Sequence, residues 1–125
     1  MPSRAGAVAG EGACRGSHAA SLCIVDGLRG KSAMKANLNA AEADQLAVDL
    51  ERLPPLDENT PSSCPSDFGP RYYLELPASA VMASGSLSGC RGVSVTGGSR
   101  DGRSTPGVVF FNDLHTTAVK YALLP

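Results

Sequence analysis

The segment that most constrains this fold runs from Asn39 to Pro55, "NAAEADQLAVDLERLPP". Asn39 takes the N-cap position and Glu42 the third helical position, so each side chain can accept the other's backbone N–H. Leu38 before the cap and Ala43 one turn later form a small hydrophobic staple. Ala43, Leu46, Ala47, Leu50 and Leu53 then recur at helical spacing and share one face. Asp44, Gln45, Glu51 and Arg52 take the other side. Pro54-Pro55 has no N–H to donate and stops the helix. A helix with one apolar stripe must bury it, and the expected partner is a sheet.

The strand signals supply that sheet. In "RYYLEL", Tyr72, Leu74 and Leu76 alternate with Arg71, Tyr73 and Glu75, the period of a half-buried strand, and Pro77 ends it. "SLCIV" (21–25) reads as a short strand before the Asp26-Gly27 turn. "AVMASGSLSGC" offers a second hairpin strand, and "RGVSV" a third with Val93 and Val95 on one face. "GGSRDGRSTPG" reads as a loop. The segment after Lys31 is helix-prone, and near the end Phe111, Leu114, Ala118 and Tyr121 predict a helix over 112–122. Val108 to Phe111, just before it, also fits a strand.

The expected architecture is therefore α+β: one main helix packed on a small antiparallel β-meander. The length of 125 residues fits one domain. Residues 1–18, rich in Ala, Gly and Ser without periodicity, read as disordered, and 19–125 as the single domain. Hydrophobic residues reach 42%, but many are alanine, Trp is absent, and there are 14 Gly and 9 Pro. So small a core gains from a covalent staple.

Charge narrows the function classes. The net charge is −1 and the basic residues are scattered, without the basic stripe and interleaved aromatics of a nucleic-acid surface. No apolar run approaches the roughly 20 residues of a membrane span. The first residues lack the apolar core of a signal peptide. "GLRGKS" ends like a phosphate-binding loop, but Val25 stands where the first glycine is required. "GACRG" around Cys14 matches a cysteine nucleophile elbow outside the strand-to-helix setting such an elbow needs.

Cys14, Cys23, Cys64 and Cys90 are separated by 9, 41 and 26 positions, with no short pair to orient two thiolates on one ion, so no metal and no cofactor are expected. Cys64 precedes the first hairpin strand and Cys90 follows Gly89 before the third, and a meander returns such positions to one edge. A Cys64–Cys90 bridge would constrain the unfolded chain by ~3.5 kcal/mol. Cys23 is left to pair with Cys14, Cys64 or Cys90, since four cysteines allow three complete pairings.

"LC" at 22–23, the helix ending in "LPP", "CPSDFGPRYYLEL" and "SGCRGVSV" together resemble a module of actinobacterial secreted proteins and lipoproteins. The matching positions are Cys23, Cys64, Pro65, Asp67, Gly69, Tyr72 or Tyr73, Leu74, Gly89, Cys90 and Val93. The resemblance covers roughly residues 20–97 and implies an extracellular or cell-envelope location without a known enzymatic activity. A lipobox cysteine at the start and β-branched residues in the second hairpin strand are missing from the match.

The expected function is a non-catalytic module binding a protein or wall component, with Arg71, Tyr73 and Glu75 on the outer strand face as the candidate binding surface. Two alternatives stand beside it. One is a small secreted protease inhibitor presenting "PASAVMASGSLS". The other is a hydrolase using Cys23 or His115, for which no orienting partner can be read.

Overall fold

A computed structural model describes residues 6–9, 14, 19–25, 32–56, 70–87 and 92–124. The strands are β1 (Gly6–Ala9), β2 (Ser21–Val25), β3 (Ser32–Asn37), β4 (Arg71–Leu76), β5 (Val81–Ser86), β6 (Gly92–Val95) and β7 (Gly98–Asp101). The helices are α1 (Ala40–Glu51) and α2 (Thr105–Lys120). Among the described residues, seven strands form one sheet in the order β1-β3-β2-β4-β5-β6-β7, and every described pairing is antiparallel. Two helices and an antiparallel sheet make the α+β fold that the sequence predicts.

The capping box forms as read. Glu42 N–H donates to Asn39 Oδ1 at 2.8 Å, and Asn39 N–H donates to Glu42 Oε1 at 3.0 Å. Leu46, Leu50 and Leu53 are buried against the inner sheet face. That face alternates out of the strands as Leu22 and Ile24, then Tyr72, Leu74 and Leu76, then Ala83, then Val93. Phe110, Phe111, Leu114 and Ala118 of α2 close the core. Phe110 and Phe111 meet Tyr72 edge-on at ring distances of 6.0 and 5.9 Å. The Tyr72 hydroxyl meets no partner among the described residues, and burial pushes its pKa up.

Four expectations are corrected. The helix-prone segment after Lys31 is strand β3, because Ser32–Asn37 pairs with β2 on one side and β1 on the other. Part of the expected loop is β7, whose outer edge is covered rather than open. Leu56 N–H donates to Ser99 O, Asp101 N–H to Pro54 O, and the Arg100 guanidinium to Leu53 O at 2.9 Å. The second helix begins at Thr105, seven positions before the expected start at 112. Ser104 caps it by accepting the Gly107 N–H, and Pro106 suits its first turn, so Val108 and Val109 are helical despite their β-propensity. Residues 1–18 are not wholly outside the fold, since β1 pairs with β3 and Cys14 is buried. Backbone pairing and one covalent bond hold these positions without any side-chain periodicity.

Candidate functional site

The outer sheet face, away from the helices, carries the surface predicted from alternation. Cys23, Tyr73 and Ser84 stand in one cross-strand row, with Lys35 on the β3 side and Ser94 on the β6 side. The next row sets Ser21, Glu75 and Met82 side by side. Arg71 pairs with Val25 and Ser86 in a third. The structure thus brings Arg71, Tyr73 and Glu75 onto one face, as two-residue periodicity requires.

Their exposure differs from the half-buried expectation. Arg71 is half-exposed, but Tyr73 and Glu75 retain only 9% and 6% of their surface. For Tyr73 the reason is a second cluster on this face: Cys14, Cys23, Val25, Ala33 and Tyr73. Cys14 is bonded to Cys23, and both are fully buried. β2 is therefore covered on both faces, which is why "SLCIV" is a continuous apolar run rather than an alternating one. Cys64 and Cys90 lie outside the described residues, and the pairing expected between them lies there too.

What remains open on this face is a shallow groove of about 60 Å³ lined by Tyr73, Glu75, Met82 and Ser84. Met82 is 50% exposed and forms its rim. Across β4 from Met82, on the far side of Glu75, Ser21 is fully buried, and its hydroxyl meets no hydrogen-bond partner among the described residues. The sequence reading held Met82 and Ser84 only within the candidate inhibitory segment, not beside Tyr73 and Glu75, because β5 alternates small residues with little hydrophobic contrast. Their register against Glu75 and Tyr73 carries the signal instead.

The catalytic alternative loses its nucleophile. Cys23 Sγ is tied to Cys14, while His115 is exposed on α2, on the helical side of the sheet, so the two are not brought together. Cys14 of "GACRG" is consumed by the same bond. Ser32 opens a strand and not the helix a phosphate loop requires. Half of the proposed inhibitory segment is strand β5, paired with β4 and β6, and it is preceded by the exposed 3₁₀ turn at Pro77–Ser79 with Ala80. Among the described residues no three His, Cys, Asp or Glu side chains are placed to hold a metal ion. No described helix is long and apolar enough to cross a membrane.

A second polar locus joins the helices. Glu42 accepts hydrogen bonds from Lys120 Nζ and from the Tyr121 hydroxyl, each at 2.6 Å. Two turns along the seam, Gln45 Nε2 donates to Asp49 Oδ1 at 3.0 Å, and Asp113 of α2 faces the same carboxyl. Between the two lies a groove of about 280 Å³ lined by Glu42, Gln45, Asp113, Thr116, Thr117 and Lys120 among others.

No family model, curated protein or solved structure matches this chain.

Proposed function

We propose that this chain is a non-catalytic module of the cell exterior or envelope that binds a protein or wall component through its outer sheet face. The observation that carries this reading is the buried Cys14–Cys23 disulfide, since such bonds persist in oxidising compartments and are rare in reducing ones. The resemblance of residues 20–97 to the actinobacterial secreted module points the same way. The contact strip comprises Met82, Ser84 and Arg71, with the edges of Tyr73 and Glu75 as the groove floor. An exposed methionine beside an aromatic and a carboxylate suits a protein or polymer surface that needs apolar contact with a few polar anchors.

The test is twofold. Cells expressing the full chain are fractionated, and the protein is mapped by mass spectrometry without reduction. Linked Cys14 and Cys23 peptides outside the cytoplasm support the reading, and free thiols in a cytosolic chain overturn it. The purified oxidised protein is then passed over actinobacterial cell-wall material and over immobilised envelope proteins. Retention that Met82→Asp abolishes supports the outer face as the contact, whereas retention indifferent to Met82→Asp and Arg71→Glu moves the contact elsewhere. Removing the bridge as Cys14→Ala/Cys23→Ala costs about 2.5 kcal/mol for a separation of 9 residues, read as a lower urea midpoint.

A further inference from the structure

We propose that Asp49 and Asp113 form a proton-operated lock across the α1–α2 seam, closed in mild acid and loosened near neutral pH. The two helices run antiparallel, with Glu42 meeting Lys120 at one end and Asp49 meeting Asp113 two turns along. Asp49 keeps 1% of its surface. Its Oδ1 accepts from Gln45, and its Oδ2 has no donor among the described residues. A carboxylate so placed, beside a second carboxylate, has lost its water and gained a like charge. Both effects favour a retained proton, which turns repulsion between the two groups into an O–H···O bond.

The surrounding charges do not cancel this. Arg52, at the C-cap of α1, is exposed and offsets it only in part. Glu42 and Lys120 neutralise each other two turns away. His115 lies two positions beyond Asp113, about 200° round α2, and is exposed. Burial first, then the neighbouring Asp113 carboxyl, lift the Asp49 carboxyl from 3.8 to about 6, against the opposing pull of Gln45 and Arg52. A carboxyl raised on folding contributes stability at low pH and loses it as pH rises through its folded-state value. The Glu42–Lys120–Tyr121 end has no such proton to lose, so the seam opens from the Asp49 end. That end leads directly into the groove lined by Gln45, Asp113 and Thr117.

The test uses the full oxidised chain. Protection of the α1 and α2 amides is measured by hydrogen exchange, corrected for intrinsic rates. From about pH 5 to about pH 7.5 the wild type should lose about tenfold in protection along the seam, as a carboxyl moved from 3.8 to about 6 dictates. Asp49→Asn, which donates to Asp113 at every pH, should abolish that loss, and Asp113→Asn should reduce it. The Asp49 carboxyl resonance, followed by NMR on the wild type alone, should titrate above the ordinary carboxylate range. A resonance that titrates at an ordinary value overturns the lock, as does an Asp49→Asn protein that keeps the wild-type pH dependence. The measurement reads only the seam, so its failure leaves the outer-face reading untouched.

Discussion

Gly85 stands directly across the β4–β5 ladder from Tyr72, and its missing side chain is the space the tyrosine occupies. A Cβ on Gly85 would lie 3.1 Å from Tyr72 Oη and 2.6 Å from the backbone oxygen of Gly92. The second atom belongs to a paired strand and cannot swing away. Gly85→Ala should therefore destabilise the protein by about 2–3 kcal/mol, as overpacking of a filled core does, outweighing the backbone-entropy gain. Tyr72→Phe removes a buried hydroxyl without a partner among the described residues and should be neutral or stabilising by about 1 kcal/mol. Urea midpoints check both, and an unchanged midpoint for Gly85→Ala would refute the packing.

At the other end of the core, α2 stops in a Schellman arrangement. Leu123 N–H donates to Ala118 O, and Ala122 N–H donates to Val119 O. Ala122 pays for this with φ of 59°, a conformation that costs an L-residue about 1 kcal/mol and glycine almost nothing. Ala122→Gly should raise the melting temperature by a few degrees. A lower melting temperature would mean that the chain leaves the helix by another route.

Glu42 joins three groups at once: the backbone of Asn39, the ammonium of Lys120 and the hydroxyl of Tyr121. Burial opposes its charged form, but hydrogen bonds from Lys120, Tyr121 and Asn39 prevail and hold its pKa below 4.5. A depressed carboxyl contributes stability above its unfolded value and loses it as pH falls through the folded one. Its sign is thus opposite to that of Asp49. Glu42→Gln should cost about 1 kcal/mol at neutral pH and nearly nothing below about pH 3. Thermal melts at the two pH values check this; an equal cost at both would assign the effect to packing rather than charge.

Legibility in the sequence followed the range of the interactions involved. The Asn39–Glu42 box and the leucine stripe of α1 depend on neighbours three and four positions apart, so both were readable and both form. β4 announced itself by alternation, but alternation could not say that Tyr73 and Glu75 would be covered. That cover includes Cys14, 59 positions from Tyr73 along the chain, and reaches it through a disulfide that spacing left open among several pairings. β7 was hidden because glycine-rich, polar residues look like a turn until a neighbouring strand and the Pro54–Leu56 segment supply backbone partners.

Local sequence thus sets where helix α1 starts and stops, which residues of β4 face inward, and that the chain is α+β. Those outcomes follow from local backbone preference and from the hydrophobic cost of exposing an apolar stripe. Long-range packing alone makes Ser32–Asn37 a strand, joins Cys23 to Cys14, and sets Asp49 against Asp113. Each of these depends on a partner brought near by the fold, and the free energy of such a contact resides in neither residue alone. The outer-face groove and the acidic seam are both of that second kind.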